Sequence, residues 1–142
     1  MTLRLAPCLL LAACGTIRGY EGERAPPEER ATIVSHAPAN VRVRVVDVDG
    51  VDIDRKWSQG GTLELRPGLR AITLRLAGRL PHELVDLPFF EVANCATVDI
   101  LVDVEAGRRY VFVASVQAED EAAYEITDAE TERVVASWDL RR

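Results

Sequence analysis

The sequence predicts an all-β protein, a small antiparallel β-sandwich of about 7–8 strands. Apolar and polar residues alternate in short runs, and turn signals rich in Gly and Pro separate these runs about every eight to twelve residues. No long segment has helical periodicity. A chain of 142 residues with 48% hydrophobic and 28% charged residues fits one globular domain with a single core.

The first half of the domain is predicted to contain four strands joined by tight turns. Valines alternate with Arg42 and Arg44 in the second strand, which indicates a half-buried strand with a charged outer face. Asp49 and Gly50 then form a hairpin turn, because glycine tolerates the positive φ of a type I′ turn. The four strands are "ATIVSH" (31–36), "NVRVRVVDV" (40–48), "TLELR" (62–66) and "LRAITLRLA" (69–77).

The second half begins with a segment, residues 78–90, that has two prolines and no clean period, and we expect a connecting loop there. Four more strands follow. The second of them is apolar on both faces, which is typical of a central strand. The last two form a closing hairpin with Tyr124 and Trp138 among its anchors. These strands are "ATVDILVDV" (96–104), "RRYVFVASVQ" (108–117), "AYEITD" (123–128) and "RVVASWDL" (133–140).

Charge and cysteine content exclude several classes of protein. The formal net charge of −6 argues against nucleic-acid binding, which needs a clustered basic face, so we expect no nucleic-acid partner. Of the three cysteines, Cys8 and Cys14 lie in the N-terminal apolar segment, and only Cys95 belongs to the predicted domain. We therefore expect no internal disulfide framework, with Cys95 as a buried small hydrophobe.

The N-terminal segment, residues 1–13, has the order of a secretory signal peptide. Arg4 is followed by an apolar stretch and then by small residues. The apolar stretch, about nine residues long, is too short for the roughly 20 residues of a membrane-spanning helix. We therefore expect export rather than a transmembrane anchor.

The end of this segment, Leu11-Ala12-Ala13-Cys14, closely resembles the lipobox of bacterial lipoproteins. The resemblance implies cleavage between Ala13 and Cys14, diacylglycerol on the Cys14 thiol and an acyl group such as palmitate on the new amino group. It also implies the outer membrane, facing the periplasm, because Gly15 stands where an Asp commonly marks inner-membrane retention. An ordinary secretory signal cleaved nearby is the alternative.

Residues 14–30 are predicted to be the lipidated N-terminus and a tether, and residues 31–142 the β-sandwich domain. The tether segment is rich in Gly, Pro and charge, and a flexible chain of that length has a root-mean-square span of about 22 Å. Its "Y-x-G" element at Tyr20 resembles a segment of uncharacterised proteobacterial lipoproteins. Tyr20 either docks on the domain or belongs to a mobile tether.

The stretch from residue 41 to 77 resembles PEGA-type and transthyretin-like domains, which are small β-sandwiches with a similar rhythm of "DG" and "PG" turns. This resemblance implies the fold and no activity.

One acidic cluster is a candidate calcium site, because calcium prefers several oxygen ligands. Its spacing departs from an EF-hand loop, since Lys56 stands where a Glu ligand is needed six residues after Gly50. A polar hairpin edge that discourages strand pairing explains the same residues. We predict no metal site, and keep as the calcium alternative Asp47, Asp49, Asp52 and Asp54.

The loop "RKWSQGG" contains Arg55, Lys56 and Trp57. It is either a contact surface for a protein, glycan or headgroup, or a lid over one end of the sandwich.

Ser35 and His36 lie side by side in a predicted strand and so point to opposite faces, which does not suit a nucleophile and its base. His36, His82 and Cys95 are too scattered to predict a zinc site.

Together these features predict a protein that is not an enzyme and needs no cofactor. We expect a lipid-anchored binding or accessory module of the bacterial cell envelope, with an envelope protein or cell-wall glycan as partner. The alternatives are a small envelope hydrolase or hydrolase inhibitor that uses clustered carboxylates, and a carrier of a hydrophobic ligand. The run at Glu119–Glu121 is more typical of a solvated turn than of paired catalytic carboxylates.

Overall fold

The computed structural model describes residues 15–37, 41–79, 93–118 and 121–141, and these residues fold as a β-sandwich. Within them the chain forms ten strands and one turn of 3₁₀ helix, Pro27–Glu29. The strands are β1 (Thr16–Arg18), β2 (Ala31–Ser35), β3 (Val41–Val48), β4 (Val51–Lys56), β5 (Thr62–Leu65), β6 (Gly68–Arg79), β7 (Ala93–Val104), β8 (Arg109–Ala118), β9 (Glu121–Asp128) and β10 (Val134–Arg141).

Two sheets of unequal size pack face to face. The six-stranded sheet has the order β1-β5-β2-β8-β9-β10, and the four-stranded sheet has the order β4-β3-β6-β7. The smaller sheet is antiparallel throughout, whereas the larger one is mixed, because β1 pairs with β5 and β2 with β8 in parallel. The predicted all-β sandwich is confirmed, but its larger sheet is not purely antiparallel.

The core lies between the sheets and follows from the alternation of side chains along each strand. In β3 the valines at 41, 43 and 45 are buried while Arg42 and Arg44 are exposed, as predicted. Tyr110 and Phe112 on β8 face them from the larger sheet with 2% and 0% of their surface exposed. The core is therefore built from interdigitating apolar side chains.

Residues 15–30 are part of the fold, which corrects the prediction of a flexible tether. Thr16–Arg18 forms the edge strand β1, and Ile17 is buried in the main core with 4% of its surface exposed. The segment that follows lies across the outer face of the larger sheet. The sandwich therefore includes residues before 31, among them Thr16–Arg18 of β1.

Several predictions fall outside the described residues. They concern the signal peptide with Ala13 and Cys14, and most of the loop predicted at 78–90 with His82. Cys95 lies in β7 opposite Ala77, but its side chain is outside the described part.

Candidate functional site

The described chain begins at one end of the sandwich, which we call the Gly15 end. The Gly15 carbonyl accepts a hydrogen bond from the Thr62 N–H at 2.6 Å. A Cβ at Gly61 would lie 2.9 Å from the Ser58 carbonyl oxygen and 3.2 Å from the Gly15 oxygen, so only glycine fits there without a shift. Gly15 is therefore packed against Gly61 and the start of β5 at this end.

Close packing fixes the next residues of the segment. The Gly19 N–H donates to the Glu64 carbonyl at 2.8 Å. A Cβ at Gly19 would lie 2.9 Å from Leu65 Cδ2 and 3.0 Å from the Glu64 oxygen, so the backbone can approach β5 this closely only with glycine. Residues 15–19 therefore pack directly along β5.

Tyr20 docks on the domain, which decides between the two interpretations of that residue. Its side chain is buried, and its hydroxyl accepts a hydrogen bond from the Ala25 N–H at 3.0 Å. The Arg66 guanidinium lies 4.8 Å from the centre of its ring, within the range of a cation–π contact. The ring thus joins the N-terminal segment to Arg66, the residue that follows β5.

A buried carboxylate holds the rest of the segment. Glu64 lies on β5 with only 2% of its side chain exposed, beneath Arg24 and Arg30. Arg24 binds both carboxylate oxygens, and Arg30 Nε lies 3.6 Å from Glu64 Oε1. We call these three residues the Glu64 cluster. A carboxylate at this depth requires such partners, because an unpaired buried charge is strongly unfavourable.

Trp57 closes the Gly15 end of the core. It is 2% exposed, stacks on Phe112 at 5.1 Å between ring centres and donates its indole N–H to the Gly61 carbonyl at 2.9 Å. The structure therefore favours the lid interpretation of this loop. The indole has almost no surface left for a partner, so the predicted contact loop is reduced to Arg55 and Lys56, which are exposed.

Four exposed cations lie beside this lid on the outer face of the smaller sheet. In register, Arg44 stands opposite Lys56 on one side and Arg75 on the other. Arg42 lies two residues before Arg44, and together they line a shallow depression of about 230 Å³. We call this set the basic cluster: Arg42, Arg44, Lys56 and Arg75.

The basic cluster contains more positive charge than its neighbours neutralise. Arg44 forms an ion pair with Asp54 at 2.5 Å, and this hydrogen bond holds the pKa of Asp54 below its usual value. Arg42, Lys56 and Arg75 form no ion pair with any residue that the structure describes. Sequence reasoning noted Arg42 and Arg44 as an outer face but missed the cluster, because its signal appears only once β3, β4 and β6 are aligned.

Two members of the predicted aspartate cluster bind different arginines. Asp49 accepts hydrogen bonds at 2.9 Å from the Ala71 N–H and from Arg70, while Asp54 binds Arg44. Partial burial raises the pKa of Asp49, but its hydrogen bonds to Ala71 and Arg70 outweigh burial and lower the pKa overall. Over the described ranges, no three His, Cys, Asp or Glu side chains are grouped to hold a metal ion. The calcium alternative at Asp47, Asp49, Asp52 and Asp54 gains no support from this geometry.

The opposite end of the sandwich carries a depression of about 360 Å³ with several carboxylates around Arg108. Arg108 lies 3.2 Å from Glu105, 3.5 Å from Asp128 and 3.3 Å from Glu130. The backbone N–H groups of residues 131 and 130 hydrogen-bond to Asp128 and lower its pKa. A general acid near neutral pH needs a raised carboxyl pKa instead, so Asp128 does not suit that role.

Ser35 is the last residue of β2 and His36 directly follows it, and the two side chains differ in exposure as the predicted alternation requires. Ser35 is completely buried and His36 is exposed. Their side chains do not form a nucleophile and its base.

Among the described residues, no helix has the length and apolar character to cross a membrane. Comparison of the chain with models of protein families, with curated proteins and with solved structures finds no match.

Proposed function

We propose that the protein is a lipid-anchored protein of the bacterial envelope, attached through Cys14, with its β-sandwich on the periplasmic side of the outer membrane. The observation that carries this proposal is the lipobox-like sequence Leu11-Ala12-Ala13-Cys14, which stands two residues before Thr16, the first residue of β1. All ten described strands lie after residue 15, so cleavage before Cys14 leaves each of them intact. Three acyl chains, at about 0.8 kcal/mol per buried methylene, exceed what stable anchoring needs.

The sandwich acts as a binding or accessory module, and an envelope protein or cell-wall glycan is the proposed partner. Two features support a binding role without catalysis. The carboxylates around Arg108 are ion-paired, and the core positions between the sheets are filled by side chains such as Tyr110 and Phe112. The first feature disfavours the hydrolase alternative, and the second disfavours the carrier of a hydrophobic ligand.

Metabolic labelling with a palmitate analogue in a Gram-negative host tests the anchor. We expect label in the wild-type chain and no label in Cys14→Ala, which keeps its uncleaved precursor mass. Cys8→Ala is the matched control, because Cys8 lies in the same apolar segment and should leave labelling unchanged. Label retained in Cys14→Ala, or an unlabelled but cleaved wild-type protein, would contradict the proposal.

Crosslinking in intact cells tests the binding role. We expect the wild-type protein to capture one envelope component reproducibly, and the Cys14→Ala precursor to capture it less. Capture of no component at several surface positions would argue against an accessory module.

A further inference from the structure

The structure leaves almost no chain between Cys14 and the folded domain. Consecutive Cα atoms are about 3.8 Å apart, so Cys14 lies one such step from Gly15, whose carbonyl is hydrogen-bonded to β5. A flexible segment over residues 15–30 would instead allow a span of about 22 Å. Lipid attached to Cys14 therefore brings the Gly15 end against the membrane surface.

The basic cluster lies at this same end. Lys56 directly precedes Trp57, the indole N–H of Trp57 donates to Gly61, and Gly61 packs on Gly15. A continuous path of described contacts thus joins Gly15 to Lys56 through Gly61 and Trp57. At the opposite end, Glu105 and Glu130 expose 71% and 74% of their side chains and flank Arg108.

The arrangement of the basic cluster favours binding of an anionic ligand. Like charges directly opposite each other on neighbouring strands destabilise a sheet. Here Lys56, Arg44 and Arg75 form a row across three strands, and Asp54 pairs with one of them. Phosphate groups at a membrane surface would neutralise the rest, because Lys and Arg near an anionic leaflet are attracted to its headgroups.

We propose that the Gly15 end rests on the headgroup layer and that Arg42 and Lys56, with the rest of the basic cluster, bind the phosphates of anionic lipids. This inference rests on the lipid anchor at Cys14 proposed above. It fixes which end of the sandwich faces the membrane. β3 rises about 3.3 Å per residue, so its far end stands roughly 23 Å beyond its start, away from the lipid.

Fluorescence quenching in vesicles tests this orientation. The lipidated full-length product is purified, its mass is checked, and it is reconstituted with phosphatidylglycerol and a lipid that carries a headgroup quencher. One dye is placed at Ser58→Cys beside the lid, and in a second protein at Ala129→Cys at the opposite end, both in a Cys95→Ala background. We expect loss of fluorescence at position 58 and none above background at position 129.

Charge reversal tests the contacts. Arg42→Glu with Lys56→Glu should reduce quenching at position 58 in phosphatidylglycerol vesicles. The matched control, Arg109→Glu with Arg133→Glu, changes the net charge equally at exposed positions of the opposite end and should leave quenching unchanged. Circular dichroism checks that both double variants fold.

The outcomes separate the two proposals. An unlipidated mass overturns both the anchor and this inference. Lipidated protein whose dyes at positions 58 and 129 are quenched equally overturns the orientation alone, and equal effects of the two charge reversals overturn the phosphate contacts. An unquenched dye at position 58 together with crosslinked dimers would assign the Gly15 end to contacts between copies and also overturn the proposal.

Discussion

Replacing Glu64 by glutamine tests how firmly residues 15–30 are held to the sandwich. The change removes the negative charge that faces Arg24 and Arg30 and leaves the volume almost unchanged. Breaking a fully buried ion pair costs about 3–5 kcal/mol, but Arg24 is 53% exposed and regains water, so its share is small. Arg30 is 15% exposed and keeps a largely buried charge. We therefore expect a loss of about 2 kcal/mol.

Two measurements check this value. Denaturant unfolding gives the global loss, and hydrogen exchange of the Gly19 amide, which donates to the Glu64 carbonyl, reports local release of the segment. The control is Glu130→Gln, because that carboxylate also pairs with an arginine but is 74% exposed, so we expect a change below about 0.5 kcal/mol. Equal small losses in the two variants, or unchanged protection of Gly19, would refute the reasoning.

Three further predictions follow from single residues. Trp57→Ala should lower the free energy of unfolding in denaturant by about 3–5 kcal/mol. Trp57→Phe should lower it by about 1–2 kcal/mol, because this variant loses only the hydrogen bond to Gly61 and part of the buried ring. Equal losses in the two variants would contradict the role of Trp57 as a lid. Gly19→Ala should cost about 1–3 kcal/mol, since its Cβ meets Leu65, and an unchanged midpoint would contradict that packing. The pKa of Asp128 is lower in the folded than in the unfolded chain, so its contribution is present above about pH 4 and is lost as pH falls through the folded pKa. Asp128→Asn should therefore lose less stability than wild type on acidification in thermal melts, and identical pH profiles would contradict the assignment.

The eight strands predicted from alternation are all present, because alternation is a local property that follows from the pleat of a strand. The two strands that were missed have weak local patterns. β1 is three residues long, and β4 is an edge strand in which Val51 and Ile53 are only half-buried. Neither offers the run of alternating apolar residues on which the sequence prediction depends.

The contacts that define the Gly15 end could not be predicted, because they join residues far apart in the chain. Arg24 and Glu64 are separated by 40 positions, and the opposition of Arg44 and Arg75 depends on the register of β3 with β6. In the sequence, Glu64 has the position of an ordinary outward-facing residue of a strand. Glu64 is buried only because the segment predicted to be a tether covers it in the folded structure.

The stability with which residues 15–30 dock on the sandwich determines how far the domain can move from the proposed lipid anchor. While residues 15–30 remain docked, the lipid proposed on Cys14 would be held close to β1, so that only the Gly15 end would meet the membrane. If the segment detaches, the same residues become a flexible linker with a span of about 22 Å, and the orientation is lost. A loss of about 2 kcal/mol raises the detached population about thirtyfold. Glu64→Gln should therefore weaken the difference in quenching between positions 58 and 129 without changing lipidation, which connects the buried carboxylate on β5 to the orientation of the domain on its membrane.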